Sequence, residues 1–406
     1  MEKSIGIVGA GVAGLHLGLY LLEHGIKATI ITDKTPEQVR DGRLPNSVSH
    51  HHVTLARESR LGVCHWPVEE WGYQIHRHYF GLPDPLAFPG RFSAPSRAVD
   101  YRIYLPRLMD DFEARGGTIY YRQIDRDEIP ALGEHFDLVV VGAGRGAFSE
   151  MFPVRPEYSP FDRPQRILCV GLYTGVRPDE PESVTFSVSP GHGELIHIPM
   201  LSFSGRVDVL LLENIPGGDI EEMAHLRYDD DRRLFLDTLL AKLERHHPTI
   251  YDRIDTARFD LQDPKDLLQG GLVPGIRHSA AEIGDGAMAI AVGDAHATVD
   301  PILGQGANIA SHSAWVLGEE IVKADAFDRA FVERVDHRRM DRVLGAQRWT
   351  NMMLAPPSPE RGALIAAMSQ NPVLADEFTE NFNYPERQWA RLSSPETIQA
   401  WIAEKS

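Results

Sequence analysis

Two glycine-rich turns, one near each end of this 406-residue chain, combine residue types and spacing that could do chemistry. The first is Gly9-Ala10-Gly11-Val12-Ala13-Gly14, directly after the apolar run at 5–8. Gly9 suits a tight turn and Gly11 lets backbone approach a pyrophosphate, while Gly14 lets the following helix pack on the strand. The start of that helix offers free N–H groups and a partial positive charge to phosphates. Asp33, about 20 residues beyond Gly14, is placed to accept hydrogen bonds from ribose hydroxyls. This is a dinucleotide site, and its spacing leaves FAD and NAD both open. The second turn is the stretch GDAHATVDPILGQGAN at 293–308, an acid followed by Gly304 and Gly306 at the head of a helical pattern.

The elements that must hold these turns are legible around them. An apolar strand at 5–8 leads into a leucine-rich helix with Gly25 as its C-terminal cap, and a second strand at 28–32 ends at Asp33. A strand at 288–292 leads into the second turn, and the helix after it starts near Gly304 and runs to about 322. A third glycine cluster, Gly142, Gly144 and Gly146 after the strand at 138–141, has the wrong spacing for a nucleotide fingerprint and reads as a structural turn. Strands are expected at 166–175, 185–189, 194–199 and 207–213, and helices at about 311–354 and 359–404. The predicted fold class is α/β. A Rossmann-like nucleotide domain takes 1–62, 96–165 and 270–345, and a β-rich substrate domain takes 63–95 and 166–269. A C-terminal helical segment at 346–406 is expected to pack on the nucleotide domain.

Composition narrows the function. A net charge of −17 argues against a nucleic-acid partner, which requires a basic face. The apolar runs are far shorter than the roughly 18 residues of a membrane span. No secretory signal opens the chain, and Cys64 and Cys169 have no partner at CxxC spacing, so a cytoplasmic location is expected. His50-His51-His52 invites a metal reading. No further ligand lies at familiar spacing, so no metal is expected, and the triplet reads as a polar strand with His50 and His52 on one face. The acidic run 229–231 and ERHH at 244–247 read as solvated surface.

Six stretches spread over nearly the whole chain carry a resemblance: IGIVGAGVAGLHLGLYL, APSRAVDYRIY (94–104), SPGHGELIHIPMLSF (189–203), LLQGGLVP (267–274), ATVDPILGQGAN (297–308) and DEFTENFNYPERQW (376–389). They resemble the oxygenase components of the styrene and indole monooxygenases, two-component flavoproteins with the p-hydroxybenzoate hydroxylase fold. The resemblance selects FAD over NAD. It implies that FAD is bound as reduced FADH2, delivered by a separate NADH:FAD oxidoreductase. It also implies that O2 forms a flavin C4a-hydroperoxide, which epoxidises a small aromatic alkene of the styrene type. A homodimer is expected. The cofactor residues carried over are Gly9, Gly11, Ala13, Gly14, Asp33, Lys34, Arg43, Ser96, Arg97, Asp294, Pro301, Gly304, Gly306, Ala307 and Asn308. In the family pattern the acid of the second turn serves the ribityl chain, and the later helix aims its N-terminus at the pyrimidine edge of the isoalloxazine.

The catalytic candidates by the same resemblance are Asn46 near the peroxy group, Arg43 beside the isoalloxazine and His50. Leu44, Val48, Tyr73, His76, Ile198 and Pro301 are expected to wall the substrate cavity. Where single-component hydroxylases place an Asp-Gly linked to FAD and NAD(P)H, this chain has Ala143-Gly144, in keeping with an enzyme that takes up flavin already reduced. The rivals are an indole monooxygenase of the same family, a self-contained aromatic hydroxylase, a flavin-binding regulator and a halogenase. The WxWxIP motif of the halogenases would fall at Glu194, Ile196, Ile198 and Pro199, where both tryptophans are missing.

Overall fold

The structure is a computed structural model that describes residues 3–144, 146–284 and 286–405. Arg145, in the third glycine cluster, lies outside the described residues. Among them, six strands form one sheet in the order Ala280–Gly284, Ala287–Ala291, Leu138–Val141, Ser4–Val8, Lys27–Thr32 and Thr118–Tyr121. All neighbours are parallel except the hairpin of the first two. Central parallel strands are covered on both faces and therefore read as unbroken apolar runs. Leu138 and Val140 face a core with the helices Val12–Glu23, Tyr101–Ala114 and Gly306–Lys323. Val139 and Val141 face the opposite core with Ile129, Leu132 and Phe152.

A second, nine-stranded sheet holds the expected substrate strands, observed at Ile167–Thr174, Ser183–Ser189, Gly193–Ser202 and Gly205–Asn214. It extends through Gly72–Phe80 and Leu86–Ala98 to the short edge strand Ser49–His50. Period-two alternation divides its side chains. Leu195, Leu210 and Leu212 face a core under the helix Arg232–His246. Ile196, Ile198, Val209 and Leu211 face the other side.

The C-terminal segment departs from expectation twice. The helix expected at 359–404 is four helices, Pro359–Gln370, Pro372–Glu380, Pro385–Leu392 and Pro395–Lys405. Each begins with a proline, whose missing N–H costs nothing in the first turn and whose ring prevents continuation of a preceding helix. Their apolar residues Leu374, Phe378, Phe382, Leu392 and Trp401 join a core with the nine-stranded sheet that also holds Leu44, Ile302 and Leu303, while Phe382 O accepts from Gln305 and Asn383 accepts from Val53 N, so the segment also touches the nucleotide domain. The helix expected over 311–354 likewise splits, into Gly306–Lys323 and Arg329–Leu354. His246 and His247 are buried and bond Ser189 and Ser187, each at 2.8 Å, so this part of ERHH joins helix to sheet and is not solvated.

Candidate active site

The first turn sits at the carboxyl end of the parallel strands, the usual ligand edge of such sheets. Gly9 has φ +107°, and a Cβ there would lie 2.7 Å from the Gly142 carbonyl oxygen. A Cβ on Gly14 would lie 2.1 Å from the Gly9 oxygen, whereas one on Gly11 would meet nothing within 4 Å. Two glycines are thus required by packing, and the third leaves open space. The helix Val12–Glu23 starts without a side-chain cap. Asp33 and Lys34 are exposed at the end of the adjoining strand.

The second turn closes on the first. A Cβ on Gly293 (φ +58°) would lie 3.6 Å from the Ala13 Cβ and 4.0 Å from that of Ala310, so the starts of both helices meet at this glycine. Asp294 follows, close enough to Tyr101 for its charge to act on the phenol. Pro301–Leu303 forms a single 3-10 turn, Gly304 takes the left-handed conformation, and the helix Gly306–Lys323 also begins without a side-chain cap. Two helix starts without side-chain caps, converging on one glycine-lined cradle, fit a cofactor that carries negative charge.

Three expected cofactor residues are engaged elsewhere. The Asn308 side chain accepts from His51 N (3.0 Å) and Thr54 Oγ1 (2.8 Å), and donates to Ser49 O and Gly304 O, both at 2.9 Å. With all four positions filled, it clamps 49–54 to the second helix, and only its backbone remains for a ligand. Arg97 is buried against Glu58 and the Trp66 carbonyl. Ser96 is buried and bonds His51 Nδ1 at 3.2 Å. Ala307 is buried in the nucleotide-domain core, and Gly306 opens the helix.

An apolar cavity lies between the nine-stranded sheet, the 301–304 turn and the C-terminal helices. Val48, Tyr73, His76, Ile198 and Pro301, named above for a substrate wall, line it together with His51, Phe186, Ile196, Leu211 and Phe382. Its volume of about 20 Å³ is that of roughly one water molecule. Leu44 is a correction: it is buried in the core on that side of the sheet, and its N–H bonds Lys265 O, but it does not line the cavity. Asn46 is exposed beside the cavity-lining Ser47, whose N–H its Oδ1 accepts at 2.7 Å. Arg43 is exposed and paired with Asp229 at 3.2 Å.

The cavity is electrically neutral. Burial, reinforced by the neighbouring His50 and His52, lowers the His51 pKa to about 3, and burial holds His76 well below the usual range. Both His76 ring nitrogens and His51 Nε2 have no protein partner among the described residues. His76 stands edge-on to Phe382, with ring centres 4.8 Å apart. The meeting of His51 with Phe382 could not be found from local sequence, because the two come from segments near opposite ends of the chain.

Behind the cavity runs a buried polar chain. His50 Nδ1 bonds Glu58 Oε1 at 2.5 Å, and His50 Nε2 bonds Tyr101 Oη at 2.9 Å. Tyr104 Oη donates to the same Glu58 oxygen at 3.0 Å and so must accept from His16 Nε2 at 2.7 Å. This fixes the His16 tautomer and leaves Nδ1 to accept from Ser311 Oγ at 3.1 Å. Burial lowers the His16 pKa to about 4, consistent with a neutral ring. For Glu58, burial alone would raise the pKa, but the His50 bond and the charges of His50 and Arg97 bring it down to about 2. His50 is therefore held within this network and has no spare ring nitrogen. The expected extended histidine run ends there, since His52 begins the helix His52–Arg60.

A six-stranded nucleotide sheet with two converging helix starts, joined to a large, mostly antiparallel sheet, is the fold shared with flavin-dependent monooxygenases and halogenases. The flavin-dependent brominase Bmp2 superposes with TM-score 0.68 at 14% identity, covering 100% of this chain and 99% of its own. The myxobacterial chondrochloren halogenase CndH gives 0.64 at 15%, covering 99% and 97%. PqsL of Pseudomonas aeruginosa in complex with 2-aminobenzoylacetate gives 0.61 at 14%, covering 97% and 100%. A family model described as "Styrene monooxygenase A putative substrate binding domain" matches residues 144–253. The chain is 52% identical over 405 residues to "Styrene monooxygenase StyA" of Pseudomonas fluorescens, covering 99% of this chain and 98% of the relative. It is 51% identical over 408 residues to the protein of that name from Pseudomonas sp, covering 100% and 98%. The chain belongs to the styrene monooxygenase StyA family.

Proposed function

We propose that the protein is the oxygenase component of a two-component styrene monooxygenase, using FAD received in reduced form from a separate NADH:flavin reductase to epoxidise styrene-like vinyl aromatics. The observation that carries this reading is the apolar, neutral cavity against the 301–304 turn, beside the cradle formed by the two glycine turns. Reduced FAD supplies the activation of O2 and the electrophilic oxygen. The protein's own residues do the rest. Gly9, Gly11 and Gly14, with Asp33 and Lys34, would hold the adenosine and pyrophosphate part of FAD, and the helix start at Gly306 would offer its N–H groups to the flavin part. Val48, Tyr73, Ile196, Ile198, Leu211 and Pro301 recognise the arene by shape and dispersion, since styrene demands no polar partner. The same residues exclude water from the reacting centre. Asn46, next to the cavity-lining Ser47, would by the family resemblance offer its side-chain NH2 to the oxygen being transferred.

A cavity holding about one water must open to admit the arene, so substrate entry requires movement of its walls. The partnerless nitrogens of His76 and His51 favour indole as a second substrate, because the unprotonated nitrogen of neutral His76, or His51 Nε2 when Nδ1 donates to Ser96, can accept the indole N–H that would otherwise be buried unpaired. The test is to mix the protein with reduced FAD without oxygen, then add O2 and styrene and analyse the product. Styrene oxide formed without NADH supports the reading. Steady NADH oxidation by the protein alone, coupled to product, overturns the two-component assignment.

A further inference from the structure

The cavity-facing side of the large sheet ends in a group of acids that the proposed chemistry does not use. Along Gly193–Ser202 the side chains facing the cavity run Ile198, Ile196, Glu194, and along Gly205–Asn214 they run Val209, Leu211, Glu213. Glu194 and Glu213 are direct cross-strand partners, a pairing that is unfavourable when both are charged. Asp300 approaches Glu213 from the turn that supplies Pro301, Ile302, Leu303 and Gly304 to the cavity wall. Glu213 is completely buried and Asp300 nearly so.

Among the described residues two arginines act on this group, and both are directed at Glu194. Arg166 binds Glu194 through Nε at 2.7 Å and Nη2 at 3.0 Å, and its Nη1 donates to the carbonyls of Gln165 and Leu354. Arg361 also acts on Glu194 from the helix Pro359–Gln370. Asp300 Oδ1 accepts from Ile302 N at 3.1 Å, but Asp300 Oδ2 and both Glu213 oxygens have no donor among the described residues. Two carboxylates cannot bond each other, and buried charges without partners are costly. A single added proton gives this pair its missing donor.

We propose that Glu213 and Asp300 share one proton and that the resulting acid–carboxylate hydrogen bond anchors the 300–304 turn to the substrate sheet. They are positioning residues: Glu213, as the neutral acid, donates to Asp300, which in turn caps the Pro301–Leu303 turn. The inference about positioning rests on the reading of this cavity as the substrate site. The shared proton itself does not. Burial, then the charges of Asp300 and Glu194, push the Glu213 carboxyl well above its usual range, and burial lifts Asp300 to about 6, in accord with the geometry.

The sign for stability follows. A carboxyl with a raised folded-state pKa contributes stability at low pH and loses it as pH rises, because folding must then take up a proton. Glu213→Gln retains a neutral donor and removes that requirement. The melting temperature of the wild type should therefore fall relative to Glu213→Gln as pH rises from about 5 to about 8. An infrared band of a protonated carboxylic acid should be present in the wild type at neutral pH and absent from Glu213→Gln. Amide hydrogen exchange at 302–304 should accelerate about tenfold in Glu213→Ala, the loss of one anchoring bond, and stay near wild type in Glu213→Gln.

If Glu213→Gln is destabilised at every pH to the same extent as Glu213→Ala, or no such band is lost, Glu213 is ionised and the shared proton is wrong. If exchange at 302–304 is the same in both variants, the anchoring is wrong. None of these measurements uses flavin or styrene, so they can fail while the proposed activity stands, and the reverse.

Discussion

Replacing Glu58 by Gln tests whether the buried chain behind the cavity holds the fold as its geometry requires. Glu58 is fully buried and binds Arg97, His50 and Tyr104 at once. Breaking a buried pair strands its partner, here the Arg97 guanidinium, at a cost of about 3–5 kcal/mol. Linkage gives an independent figure. A buried carboxyl whose pKa falls from 4.5 to about 2 contributes about 3 kcal/mol at neutral pH. The sign is that of a depressed acid: the contribution is complete above the unfolded value and is lost as pH falls from 4.5 through about 2. Urea unfolding followed by the fluorescence of the six tryptophans should show Glu58→Gln about 3 kcal/mol less stable than wild type near pH 7. That gap should narrow by roughly half near pH 3. A gap that is small at neutral pH, or that does not change on acidification, would refute an ionised Glu58 as the centre of the network.

Gly11→Ala should leave the melting temperature unchanged but weaken flavin binding, since a Cβ there meets no protein atom. Gly14→Ala should unfold at lower temperature because its Cβ would strike the Gly9 carbonyl. Melting curves and quenching of FAD fluorescence separate the two, and equal loss of stability in both would count against the open space assigned to Gly11. Phe382→Ala should cost about 3–5 kcal/mol and raise kcat/KM for bulkier vinyl arenes relative to styrene, because Phe382 walls the cavity. Unchanged selectivity would remove it from the substrate wall. His76→Leu should fold at least as well as wild type, having lost two unpaired buried nitrogens, and should lower the indole-to-styrene kcat/KM ratio. An unchanged ratio would mean that indole finds its acceptor elsewhere.

Much of the nucleotide half was legible because its signals are local. A strand, three glycines, a helix and an acid lie within the single run 4–33, and Gly14 is explained by an atom of its own turn, whereas the atoms that crowd Gly9 belong to 142–143. The large sheet was legible from alternation, which marks both of its faces. The C-terminal breaks at Pro372, Pro385 and Pro395 were also visible in principle, since each proline opens a new helix. Side-chain allegiance was not visible. Arg97 and His50 sit in a stretch suited to a cofactor, yet both are held by Glu58. Asn308 stands beside the second turn, yet its side chain is consumed in fastening 49–54.

Periodicity, the two glycine turns, the proline stops and the acidic balance were all settled in the linear chain, because each depends on composition or on residues close together in it. Packing alone settled which polar groups meet and which charges can persist. His51, His76 and Phe382 become cavity neighbours although they lie near opposite ends of the chain. Glu194, Glu213 and Asp300 become one acid group whose arginines, Arg166 and Arg361, are committed to Glu194. Burial turns such meetings into chemistry, for it sets whether a histidine is neutral or a carboxyl keeps its proton, and burial is a property of the packed chain rather than of any segment of it.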